Sequence, residues 1–173
     1  MGINDLNKPL EFTEATQLDL EKIVATYNST ISQRMATADL EPVTMESKQQ
    51  WFNEHNAENR PLWIITYKNE YVGWMSFSSF YGRPAYNQTA ELSLYLEEKA
   101  RCKGFGKQCL QKAIDSCSKL NIKTLLGFIF DHNEPSLKLF YNMGFEKWAH
   151  LPNIANMIDC ERGLVIVGKR MSE

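Results

Sequence analysis

The sequence lacks the long hydrophobic run of a membrane helix and any excess of positive charge. No apolar stretch approaches the ~20 residues that a membrane span needs, and residues 1–5, Met-Gly-Ile-Asn-Asp, have neither the basic nor the apolar region of a signal peptide. The formal net charge is −2, whereas a protein that binds nucleic acid through its charge is usually basic. We therefore expect no membrane partner and no nucleic-acid partner.

Paired cysteines and clustered histidines are also missing. There is no Cys-x-x-Cys pair, and Cys109 and Cys117 are separated by about 12 Å along a predicted helix, which is too far for a disulfide. The histidines, His55, His132 and His150, are isolated, so the spacing of a metal site is absent. The sequence therefore predicts free thiols, a cytoplasmic location and no bound metal.

Length and hydrophobic pattern indicate one domain, residues 1–173, with an α/β fold built on a mixed sheet. The predicted strands are 11–13, 62–68, 71–80, 89–96, 124–130, 145–150 and 164–169. The predicted helices are 16–32, 45–55, 106–120 and a short one that ends at 142. Residues 34–42 are predicted as a loop and residues 151–160 as an irregular link. This alternation, with a hairpin in the middle, predicts a mixed sheet with helices on both faces.

The turn between the predicted strand 89–96 and the helix after it is the most informative segment for function. It reads Arg101-Cys102-Lys103-Gly104-Phe105-Gly106-Lys107. A basic turn with glycines before a helix is typical of a phosphate site, because the first N–H groups of a helix lack internal partners and its dipole favours an anion. A Gly-x-Gly-x-x-Gly fingerprint would need glycine at Cys109. A Walker A loop would need glycine at Arg101 and Ser or Thr at Gln108. An ordinary tight turn, with Lys107 solvated on the helix, remains the alternative.

Two motifs in the same order resemble those of the Gcn5-related N-acetyltransferase (GNAT) family. The first is the Arg-x-x-Gly-x-Gly turn, and the second reads Asn133-x-x-Ser136-x-x-Leu139-Phe140-x-x-x-Gly144-Phe145. A third segment, similar to the phosphinothricin and methionine-sulfoximine acetyltransferase group, reads Tyr86-x-x-Thr89-Ala90-Glu91-x-Ser93-x-Tyr95. The resemblance covers about residues 10–170.

This resemblance implies an acyl-CoA N-acyltransferase fold, in which the two central parallel strands splay apart. It implies acetyl-CoA as the acetyl donor and suggests a homodimer. The implied cofactor contacts are residues 101–107, the backbone of Leu94, Tyr95 and Leu96, and the side chains of Asn133 and Ser136.

Glu91 is the predicted catalytic carboxylate. Side chains alternate along a strand, so Glu91, Ser93 and Tyr95 share one face, while Leu92, Leu94 and Leu96 face the core. From that position Glu91 is expected to accept the amine proton, directly or through one water, or to bind the substrate's ammonium group. A backbone N–H near Ser93 is the predicted donor to the oxyanion. A solvated glutamate at a strand end is the alternative.

This chain differs from the family pattern at the position of the general acid. Many members of the family have tyrosine where this chain has Phe140, and the phosphinothricin group often has histidine. Phenylalanine cannot donate a proton, so Phe140 is predicted to pack against the pantetheine or the core. Tyr141, about 100° further around the helix, is the remaining candidate acid. The CoA thiol has a pKa of ~8.5, so its thiolate does not require a dedicated acid to leave near neutral pH.

The substrate site is predicted around the loop before the catalytic strand. A guanidinium pairs well with a carboxylate, so Arg83 is predicted to hold the carboxylate of an amino-acid substrate. Phe80 and Tyr86, with Trp74 and Tyr81, are predicted to form an apolar wall. A surface arginine and ordinary core aromatics are the alternatives.

Together these features predict an acetyl-CoA-dependent N-acetyltransferase that acts on a small amino acid or an analogue. The amine would attack the thioester directly, because no Cys/His arrangement indicates a covalent nucleophile. Two rivals stay open at this point. One is acetylation of a protein N-terminus or lysine, which an open, acidic groove would favour. The other is a non-enzymatic acyl-CoA sensor.

Overall fold

A seven-stranded sheet with helices on both faces forms the protein, and the computed structural model describes residues 9–171. The strands are β1 (Glu11–Glu14), β2 (Leu62–Tyr67), β3 (Glu70–Ser79), β4 (Thr89–Leu96), β5 (Thr124–Phe130), β6 (Glu146–Asn156) and β7 (Glu161–Arg170). The helices are α1 (Leu20–Asn28), α2 (Met45–Asn53), α3 (Phe105–Ser116) and α4 (Glu134–Asn142). No helix within residues 9–171 is long and apolar enough to cross a membrane. The prediction about residues 1–5 concerns a segment outside the described residues.

The order of elements is the predicted one, but several boundaries differ, of which those of α1 and β6 bear on the site. Helix α1 ends at Asn28, and a short 3₁₀ helix follows before Arg34 takes a left-handed backbone with φ 53°. The prediction of an irregular link at 151–160 is wrong for residues 151–156, because β6 continues to Asn156, and the link is limited to residues 157–160. Strand β6 lies at the edge of the sheet, where Pro152 does not interrupt a central ladder and a register shift after Leu151 accommodates the extra residues.

The two halves of the sheet meet at a short parallel pairing. The strand order is β1-β2-β3-β4-β5-β7-β6, and every neighbouring pair is antiparallel except β4 with β5. That parallel ladder has three pairs, the last of which joins Glu91 to Leu126. Beyond it the two strands separate, as the resemblance implied, and among residues 9–171 no strand pairs with the β5-facing edge of β4.

Helices cover both faces of this sheet, which confirms the predicted layers. Helices α3 and α4 cover the main core, where Phe105, Leu110 and Phe140 pack with buried residues of the central strands. On the opposite face, α1 and α2 cover a smaller cluster that includes Ile23 and Trp74.

Phe140 is buried in the main core, which is one of the two environments predicted for it. Its ring lies 4.9 Å from the ring of Phe145 in an edge-to-face arrangement. A Cβ atom added at Gly127 of β5 would lie 2.9 Å from Phe140 Cε1 and 3.0 Å from a methyl group of Val167. Glycine is therefore required at this position for helix α4 to pack closely on β5.

We expect Gly127→Ala to destabilise the fold by about 1–3 kcal/mol, although alanine is intrinsically better than glycine in a strand. The added methyl group overlaps the Phe140 ring, which cannot move away without disturbing Phe145. Denaturant unfolding measures the change. The same substitution in a Phe140→Leu background should cost less, because a leucine side chain lacks the overlapping ring atom. Equal costs in the two backgrounds would contradict this steric explanation.

Candidate active site

Strand β4 presents two chemically different faces. Leu92 is buried in the main core, with Leu94 and Leu96 packed against it, so the predicted alternation along this strand is confirmed. On the other face, Glu91 lies opposite Ser78 of β3 and Tyr95 lies opposite Trp74. This face is therefore polar around Glu91 and aromatic around Tyr95.

Two cavities meet at that face. The first, which we call the splay cleft, has a volume of about 520 Å³ and is lined by residues 35–38, 91–95 and 127–130 together with Asn133, Ser136 and Phe140 of the α4 region. The second, which we call the aromatic pocket, has a volume of about 360 Å³. It is lined by Ile23, Val24, Tyr27, Val43, Lys48, Trp51, Trp74, Ser78, Glu91, Ser93 and Tyr95. Both volumes suit small-molecule ligands, and Glu91, Ser93 and Tyr95 line both cavities.

Glu91 is the carboxylate at this junction. Burial raises the pKa of its carboxyl group above the ordinary 4.5, because desolvation disfavours the charged form. Within residues 9–171 its carboxylate has neither a hydrogen bond nor an ion pair. A half-buried carboxyl group with a raised pKa, facing a cavity, is suited to accept a proton near neutral pH.

Tyr95 forms the aromatic end of the same face of β4. Its ring stacks on Trp74 at 4.7 Å, and its hydroxyl donates to the carbonyl oxygen of Ala36 at 3.4 Å. Burial, with smaller effects from Tyr27 and the Glu91 carboxylate, raises the pKa of this phenol well above its usual value. Tyr95 is therefore neutral, and it fixes the floor shared by the two cavities.

A segment that sequence reasoning treated as a plain loop covers the splay cleft. We call residues 33–39 the cover segment. Its contacts are Arg101 Nη1 to Gln33 Oε1 (3.0 Å), His132 Nε2 to the Arg34 carbonyl (2.9 Å), Asn133 Nδ2 to the Met35 carbonyl (3.0 Å) and the Tyr27 hydroxyl to Thr37 and Asp39. The segment is thereby tied to α1, to the turn before α3 and to the start of α4. Its sequence signal was weak, because two of these contacts use the backbone carbonyls of Arg34 and Met35, which carry no side-chain pattern.

The predicted phosphate turn is exposed and lies outside the lining of the splay cleft. Arg101 is folded back, with Nε donating to the Leu96 carbonyl at 3.2 Å, while Lys103 and Lys107 are exposed. Cys102 and Gly104 both have left-handed backbones, with φ 57° and 78°. A Cβ atom at Gly104 would meet no atom of residues 9–171 within 4 Å, so the described part of the chain leaves the space in front of this backbone open.

Phe105 and Gly106, the other two residues of the turn, have roles in packing. Phe105 begins α3 and is buried against Tyr67, with ring centroids 4.9 Å apart. A Cβ atom at Gly106 would lie 2.8 Å from Leu139 Cδ2, so this glycine permits contact between α3 and α4. Because the Phe105 side chain is buried and Gly106 has none, these two residues can contact a ligand only through their backbone amides.

The second motif builds the start of α4. Asn133 Oδ1 accepts from the Ser136 backbone N–H at 3.3 Å and caps the helix. The side chains of Asn133, Ser136 and Phe140 all line the splay cleft. Tyr141 lines neither cavity and is 40% exposed, so its predicted role as general acid finds no support in this geometry and stays a prediction.

The structure does not bring the predicted substrate residues into either cavity. Phe80, Arg83 and Tyr86 lie in the loop between β3 and β4, with Arg83 and Tyr86 exposed. Phe80 contacts Tyr86 at 5.5 Å between ring centroids. Buried Arg60 anchors the loop through Nη2, which donates to the Asn87 carbonyl at 2.8 Å. This loop extends beyond the end of the β3–β4 pair, and the substrate-binding role of the three residues stays a prediction.

Sequence reasoning missed the residues of α1 and α2 that line the aromatic pocket. Tyr27, Lys48 and Trp51 all face it, and Trp74 is the one predicted wall residue that does. Lys48 and Trp51 are three positions apart on α2, a spacing that places both on one helix face. That spacing was the available signal, but which helix covers Glu91 is decided by tertiary packing.

Comparison with known proteins now identifies the family. The profile described as "Acetyltransferase (GNAT) family" matches residues 23–145. The chain is 50% identical to the Bacillus subtilis (strain 168) protein named "Putative phosphinothricin acetyltransferase YwnH", over 91% of this chain and 97% of that protein. It is 26% identical to a Pseudomonas paraeruginosa "L-methionine sulfoximine/L-methionine sulfone acetyltransferase", over 82% of this chain and 83% of that one.

A solved structure agrees with this assignment. The crystal structure of "a putative phosphinothricin N-acetyltransferase" superposes with a TM-score of 0.91 at 48% identity, covering 95% of this chain and 99% of that one. The chain belongs to the acetyltransferase (GNAT) family and is an N-acetyltransferase. Its mixed sheet is the acyl-CoA N-acyltransferase fold.

The raised pKa of Glu91 predicts a pH-dependent effect on stability. Between pH 4.5, the ordinary pKa of the carboxyl group in the unfolded chain, and its raised pKa in the folded protein, the folded protein holds a proton that the unfolded chain has already released. Burial of Glu91 therefore destabilises the fold increasingly as the pH rises through this window, and the loss persists at higher pH. We expect Glu91→Gln to raise the denaturation midpoint relative to wild type at about pH 7, with the difference shrinking below about pH 4. The exposed β6 variant Glu146→Gln is the control and should show no such pH-dependent gain. A Glu91→Gln gain that stays constant with pH would contradict this interpretation.

Proposed function

We propose that this enzyme transfers the acetyl group of acetyl-CoA to the amine of a small amino acid or an analogue of the phosphinothricin and methionine-sulfoximine type. The observation that carries the proposal is the position of Glu91, a carboxyl group with a raised pKa at the junction of two cavities. One cavity would hold the acetyl donor and the other the amine. The names of the two curated relatives support this class of acceptor.

The chain offers groups that fit acetyl-CoA. Among residues 9–171, the edge of β4 beyond Glu91 has no strand partner, so the N–H and C=O groups that point to this edge can bond to the amides of a pantetheine arm. Leu94 and the Leu96 N–H supply these groups in our proposal, because the backbone of Tyr95 faces Trp74 of β3 and the Leu96 carbonyl already accepts a bond from Arg101. Ser136 and, less directly, Asn133 would contact the cofactor from α4.

The turn 101–107 would hold the pyrophosphate. The first amides of α3 have no partner within the helix, and the open space at Gly104 admits a phosphate close to the backbone. Lys103 and Lys107 are exposed beside these amides and would add positive charge.

Proton transfer is the task of Glu91. Acetyl-CoA supplies the thioester carbonyl carbon that the amine attacks. Glu91 accepts the amine proton, directly or through one water, and a backbone N–H near Ser93 or Leu94 donates to the carbonyl oxygen. Phe140 cannot protonate the leaving thiolate, but the conjugate thiol has a pKa of ~8.5, so the thiolate departs without a dedicated acid and takes its proton from water.

Pocket shape favours a small acceptor over a protein. A protein substrate would need an open, acidic groove, but the aromatic pocket is walled by Tyr27, Trp51 and Trp74, and its lining among the described residues contains one acid, Glu91. Family membership and the names of the relatives support an enzyme rather than the non-enzymatic sensor considered from sequence. The homodimer and the cytoplasmic location stay predictions.

We expect Glu91→Gln to lower kcat by about 10²–10⁴-fold, because general-base catalysis contributes about that much. Steady-state assays of CoA release with L-methionine sulfone measure the change, and CoA affinity, measured by calorimetry, should stay as in wild type. The acidic limb of the wild-type pH profile should disappear in the variant. Unchanged turnover in Glu91→Gln would remove this carboxylate from the mechanism.

We expect Gly104→Val to weaken CoA binding at least about tenfold, since the side chain would fill the space proposed for the pyrophosphate. The matched control is Gly82→Val. Gly82 also has a left-handed backbone, with φ 61°, and open space around it, so both variants carry the same backbone strain of roughly 1–2 kcal/mol. CoA titrations that show equal losses in the two variants, or none in either, would refute the assignment of this turn.

A further inference from the structure

The aromatic pocket contains two opposite charges, and each lacks a counterion in the protein. Lys48 and Glu91 are the charged residues in its described lining. Within residues 9–171, the Lys48 ammonium forms no ion pair, and its recorded contact is with the Tyr27 ring, 5.0 Å from Nζ to the ring centroid. Two uncompensated charges of opposite sign in one cavity favour a ligand that carries both signs.

Packing fixes the position of Lys48. Thr44 caps α2 through a reciprocal bond with Ser47, which sets where the helix begins. The side-chain amide of Asn28 exchanges two bonds of 2.9 Å with the backbone of Val43 and ties this start to α1. One turn after Lys48, the Trp51 ring packs edge-on against Trp74 at 5.4 Å.

The ring beneath the ammonium is held as well. The Tyr27 hydroxyl is bonded to Thr37 and Asp39 of the cover segment, and burial together with the Asp39 carboxylate raises the pKa of this phenol to about 12. Tyr27 is therefore neutral near pH 7. Its other ring contact is Tyr95, at 5.1 Å. Lys48 thus stands on a rigid aromatic support and is directed toward the pocket that Glu91 also faces.

We propose that Lys48 binds the carboxylate of the acceptor, so that the aromatic pocket selects a zwitterionic amino acid with its amine toward Glu91 and its side chain between Trp51 and Trp74. This inference rests on the proposed function, and it assigns to Lys48 the role that the sequence suggested for Arg83, which lines neither cavity. A cation at the pocket also disfavours the lysine side chain of a protein substrate, because like charges repel.

The test compares Lys48→Met with the charge-preserving Lys48→Arg. The ligands are L-methionine sulfone, which has a free carboxylate, and its carboxamide, which has none. Because Trp51 and Trp74 line the pocket, quenching of tryptophan fluorescence reports binding without turnover, and titrations are run with and without CoA. The matched control is Lys112→Met, since Lys112 also lies over aromatic rings, 5.3 Å from the Trp63 ring centroid, but lines neither cavity.

We expect Lys48→Met to weaken binding of L-methionine sulfone by about 10–100-fold and binding of the carboxamide by less than about threefold. Lys48→Arg and Lys112→Met should stay within about threefold of wild type for both ligands. In turnover assays the loss should appear as a raised KM with little change in kcat, because this contact is made equally in the ground state and the transition state. Unchanged binding in Lys48→Met, equal loss for both ligands, or no binding of L-methionine sulfone to wild type would overturn the inference.

The two proposals fail in different ways. Absence of turnover in wild type with amino acids, together with carboxylate binding that depends on Lys48, would refute the proposed function and uphold the role of Lys48. Turnover of L-methionine sulfone with the same KM in wild type and Lys48→Met would uphold the function and refute the role of Lys48.

Discussion

The short parallel ladder between β4 and β5 is the constraint on which the site depends. Three residue pairs join the two halves of the sheet, and the ladder ends at Glu91. If the strands stayed paired beyond that point, the backbone edge of β4 would be consumed by hydrogen bonds and the splay cleft would close. Because pairing stops there, the carboxyl group of Glu91 lies where one cavity opens on each side, and the free edge of β4 is available to a ligand.

The two faces of β4 have different roles, one in packing and one in lining the cavities. The leucines at alternate positions anchor the strand to α3 through the main core, while Glu91 and Tyr95 face the aromatic pocket. Helices α1 and α2 determine the character of that pocket, since they supply its aromatic walls and Lys48. In our proposal β4 thus carries the catalytic carboxylate, whereas the selection of the acceptor rests on a separate layer of the structure, helices α1 and α2.

The sequence predicted the layers, the element order and the facing of β4 well, because hydrophobic periodicity and the glycine-containing turn are local signals. It failed where tertiary packing decides. The strand β6 runs through Pro152 because an edge position tolerates proline, and Arg83 lies beyond the pocket because its loop extends past the strand ends. Lys48 was missed for the same kind of reason. Nothing in α2 itself indicates which part of the sheet it covers.

The cover segment is fastened through the main-chain carbonyls of three consecutive residues, Arg34, Met35 and Ala36, which accept from His132, Asn133 and Tyr95. These hydrogen bonds do not depend on the side chains of Arg34, Met35 and Ala36, because every residue has a main-chain carbonyl. Evolution can therefore exchange those side chains, and with them the rim of the cleft, without releasing the chain from its path.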